Sequence, residues 1–494
     1  MAALTRTLRA HPWAVPVVIL GVLLRWWVLR TTHGMLSADE TVTGLSTLEV
    51  LDGRFRIVIP ANAYTATFES FAFAPFLAVF GPGIALLKWL GISVWAAAGV
   101  STILAARTVL DPARSWIAGG IVWLAPGAMM IVSTRAYFGY ASGMVAVAAT
   151  YWALGPLAEA PPGQPDRRRS LIAGFLGGLA FYVHPMYSAV VVPAALVVAA
   201  RHRRAGRDWW APAALGAFVA NVPVLFWNLR NSFASLHQQN EVPGTYLDRL
   251  SGFFTGLLPR DFGVMGADGS WVVGRPIGWL VWFGIPALAL AGAIRLARRR
   301  TAGRMYLAAI VFCWPIMAVF APLGQTRDGR YGVIVLPLFA VCLTSAVEAV
   351  GETIVERIHV RPVVVAGAIA SAAGLLLPYQ FDEVTTEFVR PNAGFEELVV
   401  RLDAARIEAV KGSYWVVSQA SYLTDWRIAS AVTDGWPVRY PRSQQRVDAT
   451  PPEHVAFVFQ YDDVNPTALP FPIDDYQRVD LQGLVLLLPP DGDT

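Results

Sequence analysis

Nine runs of roughly 20 predominantly apolar residues recur along the first 379 positions of this 494-residue chain, at 12–30, 84–106, 115–133, 139–157, 210–227, 276–294, 305–322, 331–349 and 362–379. A helix of that length matches the hydrocarbon thickness of a bilayer. The bulk numbers agree. Hydrophobic residues make up 55% of the chain, charged residues only 15%, and the mean hydropathy is +0.47. A soluble domain of this size is poorly described by such values, and a polytopic membrane protein is well described by them. The 18 tryptophans suit belts at the membrane–water boundary. Two cysteines, Cys313 and Cys342, sit inside apolar runs, so neither a disulfide framework nor a cysteine-based metal site follows.

Basic loops orient the spans. Arginine and lysine collect at 5–9, 107–114, 166–169, 201–207, 295–304 and 356–361, which must share the cytoplasmic side. Only one crossing can then separate the segment 31–83 from Arg107. The apolar run 68–81 is therefore an interfacial or re-entrant helix within a long first outer loop. The stretch 170–200 has basic clusters at both ends, so it reads as two shorter helices broken at His184-Pro185, where proline interrupts the helix. The count comes to about eleven crossings, with the N-terminus cytoplasmic. The outer loops are 31–83, 134–139, 228–275, 323–331 and everything after 380. The basic flank Arg6 and Arg9 resembles that of a signal peptide, but no cleavage site follows, so the first run reads as a retained anchor.

The net charge of +4 conceals an asymmetry: residues 380–494 hold 18 acidic against 9 basic side chains, leaving about +13 on the remainder. That tail reads as a small extracytoplasmic α/β domain. Helical periodicity covers 395–409, and strands are predicted at 413–417, 454–459 and 481–488. Nothing in the pattern points to a nucleic-acid partner.

Ionisable and aromatic side chains on the outer side carry the chemistry. Asp39 and Glu40 are adjacent carboxylates where the first span leaves the bilayer. One of them, or Ser37, would suffice to cap a helix starting near Thr41, and the doubling points to a catalytic acid–base role. Arg327 and Arg330, followed by Tyr331, lie in a short outer loop that opens a span. Arginine's planar fork fits phosphate oxygens there, and the helix N-terminus adds a favourable dipole. The competing role for the two arginines is an ion pair with Asp328 or with lipid headgroups. Arg135, in another outer turn, suits a diphosphate or sugar hydroxyls, or snorkels to the interface. His184 belongs at the tip of the broken hairpin. Glu69, placed with Tyr64 on one interfacial helix, is a second acid or a solvated surface residue. A divalent metal bridging carboxylate and phosphate is compatible with these residues but demanded by none.

These segments together resemble the GT-C glycosyltransferases, in particular the protein-O-mannosyltransferase-like group. The carriers of the resemblance are Ala38-Asp39-Glu40, the stretch 63–70 leading into Phe80-Gly81-Pro82, the stretch 178–185 ending in His184-Pro185, and Asp328-Gly329-Arg330-Tyr331. In the tail, Tyr414-Trp415 and Arg439-Tyr440-Pro441 look like the extracytoplasmic domain of bacterial members. The resemblance implies an inverting transferase that takes a sugar from a polyprenyl-phosphate donor and passes it to a glycan, lipid or protein hydroxyl outside the cell membrane. Asp39 would be the base and Arg330 the donor-phosphate ligand. Many members carry lysine where this chain has His184, so a constant positive charge is not implied at that position. A transporter or flippase of lipid-linked sugars would also use arginines and broken helices, but needs polar groups reachable from both sides. A binding or assembly subunit with an inactive site is a third class, against which the intact Asp39 and Arg330 weigh. The glycosyltransferase reading requires Asp39 to lie within about 15 Å of Arg327 or Arg330, since charge interactions fall away with distance.

Overall fold

The computed structural model describes residues 12–31, 34–237, 244–266, 268–320, 330–358, 392–460, 469–470 and 472–490. The expected span 362–379 and the residues Arg327 and Asp328 lie outside the described residues. Among the described residues, five helices are long and apolar enough to cross a membrane: Ile84–Ala106, Tyr140–Glu159, Arg203–Arg230, Arg275–Arg299 and Thr301–Val319. Shorter apolar helices span Ala14–Leu29, Phe68–Phe80, Pro185–Arg201 and Leu336–Glu348. These helices mark a membrane protein.

Small residues let the helices approach. Helices Arg167–Val183 and Gly206–Arg230 meet through Gly174 and Gly178 on one side and Gly216 on the other. A Cβ on Gly174 would fall 1.9 Å from the Ala213 carbonyl oxygen, and one on Gly216 would fall 2.1 Å from that of Leu171. Helices pack this closely in lipid, where contact between backbones rather than hydrophobic exclusion holds them. The other face of helix Gly206–Arg230 leaves Leu215, Phe218, Val219, Val222 and Phe226 exposed, as a lipid-facing surface requires.

The chain breaks at His184-Pro185 as the sequence pattern predicts. Helix Arg167–Val183 ends at an extended His184, a 3-10 turn spans Pro185–Tyr187, and helix Ser188–Arg201 follows. The residue before proline is pushed out of the helical region, which supplies the break. The run 115–133 behaves differently from expectation. Helix Pro112–Leu124 stops at Ala125, in the left-handed region at φ 47, and only a short turn of helix, Met129–Val132, follows.

Within the segment 31–83, β1 (Val58–Ile59) and β2 (Asn62–Ala66) form an antiparallel hairpin that the sequence pattern had not revealed. Tyr64 therefore lies on a strand, and only Glu69 lies on helix Phe68–Phe80.

The C-terminal residues build a five-stranded mixed sheet in the order β4-β3-β5-β7-β6. Its strands are β3 (Ala409–Gly412), β4 (Ala429–Val432), β5 (Val455–Gln460), β6 (Gln477–Leu481) and β7 (Leu484–Leu488). β3 runs parallel to β4 and β5, whereas β7 is antiparallel to β5 and β6. Every residue of β7 and the first five of β5 are buried, so the sheet is covered on both faces at these two central strands. The strand expected at 413–417 is instead the start of helix Tyr414–Leu423. Val416 and Val417 pack into the core from that helix, so burial overrides their β preference.

Helix Ala38–Leu51 lies between the sheet and the apolar helices. Leu45 and Leu48 share one core with Phe73, Leu87 and Leu90 on one side and with Leu398, Val416 and Tyr422 on the other. A Cβ on Gly44 would fall 2.5 Å from the Tyr422 ring, so glycine admits that ring against the helix. Polar latches reinforce the seam. The Asn392 side chain accepts from the Leu36 N–H at 2.6 Å and donates to the Gly34 carbonyl at 3.2 Å, and Gln419 donates to the Leu36 carbonyl at 3.2 Å.

Candidate active site

Ser37 begins helix Ala38–Leu51 three residues before the expected start. Its hydroxyl accepts from the Glu40 N–H at 3.3 Å, and the Glu40 carboxylate accepts from the Ser37 N–H at 3.1 Å, a reciprocal capping box. The two adjacent carboxylates have separate partners. Asp39 Oδ2 accepts from Arg330 Nη1 at 2.8 Å, and Asp39 Oδ1 accepts from the Tyr414 hydroxyl at 3.0 Å. Arg439 stands 3.9 Å from Asp39 Oδ1. The Arg439 guanidinium is fixed by the Pro60 carbonyl at 2.9 Å and lies over the Tyr414 ring at 5.3 Å. Burial, then the Asp39 carboxylate, push the Tyr414 phenol above its ordinary value, so it stays a hydrogen-bond donor at physiological pH.

Glu40 is fully buried. It accepts from Lys88 Nζ at 2.6 Å and from the Ala136 N–H at 3.0 Å, and Lys88 also donates to the Met35 carbonyl at 3.1 Å. Cap, ion pair and backbone bond occupy this carboxylate, and they hold the helix start that carries Asp39.

The other predicted residues are joined to Asp39 through rings. The Arg330 guanidinium lies 5.8 Å from the Tyr331 ring centroid, and Tyr331 meets Tyr140 at 6.2 Å. Tyr140 meets His184 at 5.8 Å, and His184 meets Tyr64 at 5.8 Å. Arg135 donates to the Tyr137 hydroxyl, and Tyr137 meets Tyr140 at 6.2 Å. Glu69 is buried, not a solvated surface residue. It accepts from the Gly139 N–H at 2.7 Å and from the Ser142 hydroxyl, so it caps helix Tyr140–Glu159 from outside. Gly139 holds φ 79 there, a conformation that favours glycine. Burial raises the Glu69 carboxyl above its ordinary value.

His184 Nδ1 accepts from the Met186 N–H at 3.3 Å. Burial, then the nearby Arg330 charge, lower its imidazole to about 4. The ring is thus neutral at pH 7. The unfolded chain binds this proton below about 6.5, whereas the folded protein binds it only near 4. Stability therefore falls as pH drops from about 6.5 towards 4. Replacement His184→Gln is expected to flatten that part of the profile, read as thermal unfolding at pH 4.5, 5.5 and 7. Equal pH slopes in the two proteins would contradict the assignment.

A groove of about 620 Å³ runs beside this cluster, lined by residues 55–63 with Phe226, Trp227, Arg230 and Asn231. It touches the cluster at Pro60, the acceptor for Arg439, and contains neither Asp39 nor Arg330. Among the described residues, no group of three or more His, Cys, Asp or Glu side chains is placed to hold a metal ion.

Three members of this arrangement were not selected from sequence. Tyr414 and Arg439 lie some 375 or more positions from Asp39, and only the tail segments quoted for the resemblance pointed to them. Lys88 had a clearer signal, as the single charged residue in the run 84–106.

No family model and no curated protein matches the chain. Solved structures do. ArnT from Cupriavidus metallidurans superposes in the form bound to undecaprenyl phosphate with a TM-score of 0.63, at 14% identity over 97% of this chain and 98% of that one. Its apo form gives 0.64 at the same identity and coverage. The oligosaccharyltransferase of Archaeoglobus fulgidus tethered to an acceptor peptide gives 0.54, at 12% identity over 91% of this chain and 69% of that one. The chain has the GT-C fold. In this chain the segment after helix Ala14–Leu29 and the turn before helix Leu336–Ile358 meet, and they carry Asp39 and Arg330.

Proposed function

We propose that the protein is an integral membrane glycosyltransferase that moves a sugar from a polyprenyl-phosphate donor to an acceptor hydroxyl outside the membrane, with inversion. The reading rests on one observation: the Asp39 carboxylate bridges Arg330 from the membrane part and Tyr414 from the sheet part. The polyprenyl phosphate bound by ArnT supports the donor class.

Asp39 takes the proton of the acceptor hydroxyl as its oxygen attacks the anomeric carbon. The C–O bond to phosphate breaks on the opposite face, and the polyprenyl phosphate departs with the bonding electrons. Arg330 neutralises charge growing on that phosphate. Tyr414 and Arg439 orient the Asp39 carboxylate. Glu40 acts as a positioning residue through the cap and Lys88. His184, neutral and ringed by tyrosines, shapes the donor pocket with Tyr64 and Tyr331 without adding charge. The topology that fits is eleven crossings, with a cytoplasmic N-terminus and the α/β part of 380–494 outside.

The test is transfer by the purified protein from synthetic polyprenyl-phosphate hexoses and pentoses, with the anomeric configuration of the product read by NMR. Retained configuration, or no turnover of any such donor, would sink the proposal. Arg330→Ala is expected to lower kcat by about 10²–10³-fold, as loss of one transition-state charge partner does elsewhere. Arg330→Lys should recover part of that loss, because it keeps the charge and loses the fork. A wild-type rate in Arg330→Ala would remove Arg330 from the mechanism.

A further inference from the structure

An exposed aromatic shelf adjoins Asp39. Tyr414 and Trp436 stack with centroids 4.9 Å apart and planes 16° apart, and Trp415 stands edge-on to both, at 5.1 and 5.5 Å. Tyr414 is only 3% exposed, whereas Trp415 and Trp436 are 39% and 45% exposed. Hydrogen bonds hold the shelf in place: Asp434 Oδ2 accepts from the Tyr414 N–H at 2.9 Å and from the Ser413 hydroxyl at 3.2 Å. Gly435, at φ 76, then turns the chain so that Trp436 lies back over Tyr414. Asp434 is itself exposed at the rim, and the Arg439 guanidinium lies over the Tyr414 ring at 5.3 Å.

We propose that this shelf is the acceptor subsite and that the acceptor is a carbohydrate. The inference builds on the reading of Asp39 as base. A sugar ring has a C–H face, which suits the electron-rich face of an indole, and a rim of hydroxyls, which suits Asp434 and Arg439. Tyr414 is the shared wall: its ring meets Trp436 and its hydroxyl meets Asp39. A sugar on the shelf therefore lies one ring away from the base. An acyl chain laid there would desolvate the Asp434 carboxylate without giving it a donor, whereas sugar hydroxyls supply one.

The test uses the full-length protein in nanodiscs and saturation-transfer NMR with mannotriose, α-1,5-arabinotriose and a Ser/Thr-containing peptide as probes. At least one trisaccharide should receive saturation on its C–H protons in the wild type. Trp436→Ala should abolish that signal and Trp436→Phe should keep it. In turnover, Trp436→Ala should raise acceptor KM by about tenfold, with kcat and donor KM close to wild type. Three results would each overturn the proposal. One is silence from both trisaccharides. Another is Trp436-dependent binding of the peptide alone. The third is a Trp436→Ala protein whose defect is weaker binding to phosphatidylglycerol vesicles, which would make the shelf an interfacial anchor. Asp39→Asn should leave the trisaccharide signal intact, so failure of the base assignment and failure of the shelf are read separately.

Discussion

Asparagine at Asp39 is expected to lower kcat by about 10²–10⁴-fold, the usual contribution of a positioned general base, while donor KM does not rise. The substitution conserves shape and still offers an oxygen to the Tyr414 hydroxyl. It removes the carboxylate that receives the proton. It also removes the charge that engages Arg330 at 2.8 Å, so the guanidinium meets the donor phosphate with less competition. A fall in kcat with flat or lower donor KM is the signature of an interaction made in the transition state rather than in ground-state binding. Steady-state rates with purified polyprenyl-phosphate sugar would measure the split. If Asp39→Asn turns over at the wild-type rate, another group takes the proton.

The second large effect is on stability. Lys88 and Glu40 are 2% and 0% exposed and stand 2.6 Å apart. Lys88→Met leaves the Glu40 carboxylate buried without its cation, and breaking a buried pair from one side costs about 3–5 kcal/mol. The melting temperature in detergent should drop sharply. Glu40→Gln on top of Lys88→Met should recover most of the loss, because glutamine still closes the capping box with Ser37 and leaves no charge to satisfy. Thermal unfolding of the two single variants and the double variant forms a cycle that isolates the pair. A Lys88→Met protein as stable as wild type would show that the pair contributes nothing to the fold. Recovery of transfer activity together with stability in the double variant would show that Glu40 acts by placing the helix start and not in the reaction.

The partner swap between neighbouring residues explains why Asp39 and Glu40 look equivalent in sequence. Successive residues on a helix point about 100° apart, so one carboxylate reaches Lys88 on the apolar side and the other reaches Arg330 and Tyr414. Linear order holds no trace of that division, because the partners lie 48, 291 and 375 positions away.

Local physics in the chain accounts for the apolar helices, the break at His184-Pro185 and the strand-forming runs near 454–459 and 481–488. The causes are the length of an apolar run, the clash of proline with the residue before it, and apolar runs bounded by turn residues. Which ionisable groups meet is a matter of packing. The tertiary structure placed Arg330 on Asp39, gave Glu40 to Lys88, turned 413–417 from strand to helix, and brought Tyr414 and Arg439 across from the sheet. Such pairings are settled by which faces pack together. A capping box, a glycine that admits the Tyr422 ring and a shared core around Leu45 set the angle of one short helix, and that angle chooses the neighbours of its carboxylates.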